Sequence, residues 1–388
     1  MIGKLSKISQ YIGYYGKDIR SVALYWRHYR RSPFNLKAYD SGFADRLSAK
    51  STRSVTERLL RAYQKAKQDQ TTAPGVYQLG GEWHHILHVE YANFMKALEA
   101  GNIEKLDDLL KNFCRNECSL GLAMSSRFLQ QRYRLFTKFC FIVDFNRLIE
   151  RWNLCSLEPF NATSFSFPNV GNPIGMRVDG HLVPMSSLAN RYYAKKLLQL
   201  KRDPEFTVAE IGGGYGGLAY YLFKECPAGL KYLNFDLPEI LRVMSYFILN
   251  ALPDKKVLLY GESDAQLDQD LKLYDIALLP NYALPSLSEG SVDAFFNSCS
   301  MVELDEETVR EYFSIIARAS RHYFLHVNPD DENVYDKRNN KKHVRLADLS
   351  LPENAFDTVY SKKQALAMNL YEYLYKRKES AEAVLNAQ

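Results

Sequence analysis

Residues 208–222 read VAEIGGGYGGLAYYL, which places five glycines in six consecutive positions between an apolar run and a Tyr/Leu-rich run. An apolar segment that ends at Glu210, passes through Gly212, Gly213, Gly214, Gly216 and Gly217 and continues as a helix is a strand–loop–helix turn with its backbone laid bare. A side chain there would collide with whatever approaches the loop. The chain on either side carries the same alternation. FTVAEI, a helix from about 216, LKYLNFD, a helix from about 238, KVLLYG, DIALLP, VDAFFN, a helix from about 305 and HYFLHVN follow one another. Short apolar runs alternating with helical ones predict a parallel sheet with helices on both faces.

The expected fold class is therefore α/β, a Rossmann-like sheet preceded by helices. KVLLYG and DIALLP compete for the third strand, and FDTVYSKKQALAMNLYEYLYKR is expected to add strands at the sheet edge. Upstream, residues 45–68 show helical spacing, and Leu98, Leu106, Leu109, Leu110 and Phe113 fall on a helical face within 83–155. The Pro/Gly-rich stretch 159–186 reads as a structured loop or lid, followed by a helix over 188–200. Four segments result: a basic, aromatic-rich helical segment 1–70, a helical domain 71–158, a substrate loop with connecting helix 159–200, and a sheet domain 201–388.

Charge is uneven along these segments. Residues 1–70 hold 15 Lys and Arg against 5 Asp and Glu, a local balance of +10 in a chain of formal net charge +5. Such a segment is read first as a solvated arm; its Trp and Tyr among arginines also allow peripheral contact with an anionic membrane. No stretch has the length of a membrane span and residues 1–17 lack the apolar core of a signal peptide, so a cytoplasmic location is expected. The six cysteines have no paired spacing and read as reduced, mostly buried thiols.

Gly212, Gly214 and Gly217 match G-x-G-x-x-G, a pattern shared by several nucleotide-type ligands. Asp236 ends the next strand about 20 residues on, where a carboxylate accepts both hydroxyls of a ribose. Glu210, two residues ahead of the first glycine, is the acidic start of the class I methyltransferase motif, and its carboxylate is expected to hold loop amides near the methionine part of S-adenosyl-L-methionine (SAM). The run NFDLPEIL, in which Asp236-Leu237-Pro238 closes a strand and opens a helix, favours SAM over NAD. The SAM-binding residues expected are Glu210, Gly212, Gly213, Gly214, Gly216, Asp236, Leu237 and Asn281. No metal is expected: His84 and His88 form an i,i+4 pair without a third ligand, amid packing residues.

The stretches GEWHHILHVEYANFMKAL, LLKNFCRNECSLGL, NVGNPIGMRVDGHLVPMSSLANRYYAKKL, VAEIGGGYGGLAYYL, LNFDLPEIL and VDAFFNSCSMVELDEETVREYF together resemble the sugar O-methyltransferase family of bacterial surface-polysaccharide clusters, from about residue 75 to about 375. The resemblance implies methyl transfer from SAM to a sugar hydroxyl of a surface glycan or of its lipid-linked or nucleotide-linked precursor. It implies no nucleic-acid partner. Cys114 stands where the family pattern has an aromatic, and Leu304 where Met is commoner.

Transfer to a hydroxyl needs positioning and a general base. VDAFFNSCSMVE runs straight from a strand into Asn297, Ser298, Ser300 and Glu303, so Glu303 and Asn297 are candidate catalytic residues and Ser300 a candidate acceptor contact. His181, in the family's signature loop, ranks above His322, His326 and His343 as a base. Arg177 and Asp179 of the same loop, Arg115 and Asn116 of the NFCRN pattern, and Tyr192 are candidate acceptor-binding residues. Two alternatives remain open: an NAD-dependent sugar oxidoreductase or epimerase, for which Tyr192 and Lys196 have the spacing but precede the glycine loop, and a non-catalytic partner of a glycosyltransferase.

Overall fold

A computed structural model describes residues 19–47, 52–122, 126–156, 158–264, 266–330, 335–336, 341–342, 344–349, 351–352, 355–367 and 369–378. The first 18 residues of the basic segment and His343 lie outside the described residues. The chain divides into two units that interleave along the sequence: residues 1–49 with 111–189, and residues 50–110 with 190–388. This division differs from the contiguous segments expected at 70, 158 and 200.

The larger unit is built on one sheet. Its strands are β3 (Phe206–Ile211), β4 (Leu230–Asp236), β5 (Val257–Leu259), β6 (Ile276–Pro280), β7 (Val292–Ser298), β8 (Ser320–Asn328), β11 (Phe356–Lys363) and β12 (Tyr371–Arg377). The order is β11-β12-β8-β7-β3-β4-β6-β5. The six strands from β8 to β5 are parallel; β12 and β11 add antiparallel pairings at the far edge. Ala209, Leu233, Leu278 and Phe295 are fully buried, as both-face coverage by helices requires of a parallel sheet. KVLLYG and DIALLP are both strands. β6 takes the place beside β4, and β5, only three residues long, closes the edge.

The topology locates a site. From β3 the chain winds to one side through β4, β5 and β6, then crosses back to β7 on the other side of β3. The crevice beyond the carboxyl ends of β3 and β7 is the switch point, where open α/β sheets bind ligands.

The helix Arg53–Gln70 belongs to this unit and not to a free arm. It buries Leu59, Leu60, Tyr63 and Ala66 and packs on the helix Ile240–Ala251. There Arg242, fully buried, donates from Nη1 to the Leu59 carbonyl (2.7 Å) and from Nε to the Pro238 carbonyl (3.1 Å). Arg58 grips Glu262 with two donors (2.6 and 2.7 Å), and Thr52 and Thr56 both donate to Asp107.

In the smaller unit, helices Leu36–Phe43 and Leu135–Cys155 meet through aromatic rings, with Tyr39 stacked on Phe43 (centroids 3.9 Å apart) and Phe141 edge-on to both. The expected loop 159–186 contains a hairpin, β1 (Met176–Val178) paired with β2 (His181–Val183). Asp179 and Gly180 both have positive φ and form its two-residue turn. The cysteines are free thiols, but only Cys118 is fully buried and Cys155 is exposed. Among the described residues no helix is long and apolar enough to cross a membrane. A short ladder, β9 (Tyr335–Asp336) with β10 (Lys341–Lys342), follows β8.

Candidate active site at the sheet switch point

β3 delivers the glycine loop to the crevice. Gly212, Gly214 and Gly216 take φ of +73°, +59° and +91°, a region costly for any residue with a Cβ. The loop is held from β4: the Gly213 N–H donates to Asn234 Oδ1 (3.0 Å) and the Gly214 N–H to Asp236 Oδ2 (3.2 Å). The space these glycines leave is already claimed by the protein. A Cβ on Gly213 would lie 2.2 Å from Asn234 Oδ1, one on Gly212 2.1 Å from Ser300 Oγ, and one on Gly217 2.1 Å from Asn190 Nδ2. At these three positions, beside any ligand, the protein's own polar side chains require glycine in order to close around the loop.

The acidic residues behave differently from what spacing suggested. Glu210 was expected to hold loop amides, but those amides go to Asn234 and Asp236. Glu210, 5% exposed, instead accepts the Tyr232 hydroxyl proton. Burial pushes its carboxyl up to about 8, with the Tyr232 hydrogen bond opposing. Asp236 ends β4 as expected; its second oxygen accepts the Leu237 N–H (2.8 Å), and burial raises it to about 7 against the pull of both amides.

Beside Asp236, in register with it, is Pro280 at the end of β6, followed by Asn281. Asn281 is buried and donates through Nδ2 to the Tyr77 carbonyl (3.0 Å) and the Tyr312 hydroxyl (3.4 Å). Its Oδ1 and the Nδ2 of Asn234 are buried without a hydrogen-bond partner. A buried acceptor and a buried donor left open beside a ribose-type carboxylate suit a ligand with polar edges. A cavity of about 510 Å³ lies farther out, around Tyr260, Gly261 and Ser263 after β5 and Ala283 after β6. It does not contain the glycine loop.

The other side of the crevice is formed by the end of β7. Cys299 has φ +63°, an uncommon conformation for a residue with a side chain, and its N–H bonds the Val327 carbonyl (3.0 Å). Past this kink, Glu303 ends a short helical turn, Met301–Glu303, ahead of the helix Glu306–Ala319. The Trp83 indole N–H donates to Glu303 Oε2 at 2.7 Å.

Asn297 is fully buried, and its whole amide is committed: Nδ2 donates to the Ile211 carbonyl (2.9 Å) and to Ser300 Oγ (2.5 Å), and Oδ1 accepts from Asn328 (3.0 Å). That corrects its expected catalytic role to one of bracing strand ends. Ser300 is part of the same brace, donating to the Ile211 carbonyl (3.1 Å). Tyr192 is also buried, its hydroxyl donating to Glu372 on β12 (3.0 Å), which removes it from acceptor binding. His326 stacks on Tyr373 in the sheet, held neutral by burial that takes it down to about 3.

The remaining candidates belong to the other unit. Arg115 spends its guanidinium on the carbonyls of Asn172, Phe43 and Ala44 (2.7–2.9 Å), and Asn116 caps the turn Glu117–Ser119 by accepting from the Cys118 N–H. Arg115 therefore ties the backbone at Phe43 and Ala44 to that at Asn172, and Asn116 fixes the turn that follows it; a substrate contact is not what these atoms make. Asp179 serves the hairpin turn, Arg177 is exposed on β1, and His181 Nε2 lies 3.2 Å from Thr163 Oγ1. His88 bonds the His84 carbonyl through Nδ1, with the two rings stacked.

Four residues of the site escaped the sequence reading: Tyr232, Asn234, Trp83 and Cys299. Asn234 had a visible signal, as a polar residue inside an otherwise apolar strand. Trp83 had none, because 220 positions separate it from Glu303.

No protein-family model matches the chain, and no curated protein matches it. Among solved structures it is similar to a SAM-dependent methyltransferase from Aquifex aeolicus, at 14% identity over 50% of this chain and 93% of that one (TM-score 0.35). It is similar to geranyl diphosphate methyltransferase in complex with SAM, at 12% identity over 50% of this chain and 88% of that one (TM-score 0.34). A third likeness is to magnesium protoporphyrin IX methyltransferase from Synechocystis PCC 6803 with bound SAH, at 10% identity over 61% of this chain and 100% of that one (TM-score 0.35). At such identities and scores these likenesses add nothing to the site, whose reading comes from its own residues.

Proposed function

We propose that the chain is a SAM-dependent O-methyltransferase whose acceptor is a sugar hydroxyl, in a bacterial surface glycan or its lipid-linked or nucleotide-linked precursor. The observation that carries the choice of ligand is the pair of carboxyls, Glu210 and Asp236, flanking the glycine loop. A pyrophosphate at this helix start would bring two negative charges against them. A ligand that brings a sulfonium and an ammonium group meets the opposite situation, because these charges favour the ionised carboxylates that burial alone disfavours. The sugar acceptor comes from the sequence resemblance.

Bound SAM supplies an electrophilic methyl group on a sulfonium sulfur. The residues of this chain do the rest. Asp236 accepts from ribose hydroxyls while its other contacts keep the loop closed. Asn281 offers Oδ1 to an amino edge. Glu303, which accepts the Trp83 indole N–H at Oε2, would take the acceptor's proton as general base.

Calorimetric titration with SAM, S-adenosylhomocysteine and NAD in parallel, repeated on Asp236→Ala, tests the reading. Micromolar binding of the first two, weakened at least tenfold in the variant and absent for NAD, is the expected result. Binding of NAD alone would transfer the site to a dehydrogenase.

A further inference from the structure

A second cavity, of about 320 Å³, opens at the other end of the same sheet. It lies where β8 begins at Ser320 and the antiparallel β12 ends at Arg377, with Gly290 ahead of β7 beside them. The length of β7 separates it from Ser298, roughly 20 Å by the rise per residue. Six cationic side chains line it: Arg202, Arg318, Arg321, Lys376, Arg377 and Lys378. Glu289 is the one carboxylate of the lining, and His322 completes it.

Three of these cations have neutral partners that fix them in place. Arg202 donates to the Tyr323 hydroxyl (2.5 Å) and lies over its ring. Arg318 donates to the carbonyls of Leu287 (2.5 Å) and Pro285 (2.9 Å), and Arg377 to that of Ala317. Arg321 pairs with Asp293 (2.9 Å), and Lys378 with the exposed Asp357 (3.8 Å). The carbonyl bonds take one or two of the five donors on each guanidinium, leaving planar forks oriented along one cavity. His322 reports the local field: desolvation lowers it first, Asp293 opposes, and Arg202 and Arg321 lower it further.

We propose that this cavity binds a diphosphate-bearing anion, at a site separate from that of methyl transfer. Six cations against Asp293, Asp357 and Glu289 leave the cluster a formal excess of about three positive charges, whose Coulomb cost a bound anion of several charges offsets. Guanidinium forks match the paired oxygens of phosphate groups, and the volume falls at the small end of ligand sites. The chemistry is shared by free pyrophosphate and by a nucleoside diphosphate.

The test is calorimetric titration of the full chain with sodium pyrophosphate and, separately, with UDP at constant ionic strength, S-adenosylhomocysteine being present throughout. Saturable binding is expected, weakened at least tenfold in Arg202→Gln/Lys378→Gln and less than twofold in Arg61→Gln/Lys105→Gln, which removes the same charge elsewhere. Tighter binding of UDP assigns a nucleoside diphosphate, and equal binding a bare diphosphate. Heats that do not saturate, or equal weakening in both double variants, would overturn the proposal. Arg202→Gln alone, which loses only the Tyr323 contacts, repeats the comparison if the double variant melts early.

Discussion

Glu210 is a carboxyl kept in its neutral form by burial in the larger unit. Its folded-state value of about 8 is above the 4.5 of an exposed glutamate. Its contribution to stability is therefore complete below about pH 4.5 and is lost as pH rises through 8, because the unfolded chain releases the proton first. Asp236, raised to about 7, acts in the same sense over a lower window. Urea unfolding at pH 5, 6, 7 and 8 should show stability falling across the series. Glu210→Gln should flatten that fall by up to about 1.4 kcal/mol per pH unit. An unchanged slope in the variant would mean that Glu210 is already ionised in the folded protein and that burial does not hold it neutral.

At the scale of elements, the ends of β3, β7 and β8 are joined by one amide. Removing it in Asn297→Ala takes one of two donors from the Ile211 carbonyl, which keeps Ser300 Oγ, and one of two partners from the Asn328 amide, which keeps His326, and should cost about 2 kcal/mol. A drop of that size in urea-derived stability supports the bracing role; a variant as stable as the parent that fails only in methyl transfer would restore the catalytic one. The parallel strands β3, β4, β6 and β7 were legible because each is a short, buried apolar run next to helical stretches. The order of β5 and β6 was not, since both runs are equally apolar and only pairing tells edge from interior. The loop and Asp236 were legible from glycine spacing and a strand-ending carboxylate. The uses of Asn297, Tyr192 and Arg115 were not, because a polar side chain's partner lies tens to hundreds of positions away. Tyr192 meets Glu372 across 180 residues.

The two interleaved units change what a boundary in this sequence means. The composition shift near residue 70 separates a basic stretch from the rest, yet Arg58, Lys65 and Lys67 are paired within the larger unit, with Glu262, Asp69 and Glu239. The helix that carries them buries Leu59, Leu60 and Tyr63, worth roughly 5 kcal/mol or more of apolar burial at about 1.5–3 kcal/mol per large side chain. That is comparable with the whole stability of an ordinary domain. Its loss would also leave the Arg242 guanidinium, fully buried, without the Leu59 carbonyl. A chain beginning at residue 52 and one beginning at residue 71 both lack the first segment of the smaller unit, so they differ only in Thr52 and the helix Arg53–Gln70. The shorter chain should unfold at lower urea by an amount equivalent to at least about 3 kcal/mol, or aggregate on expression, and lose whatever affinity for SAM the longer one retains. Equal midpoints for the two would show that this helix is an appendage after all, and that the larger unit is complete without it.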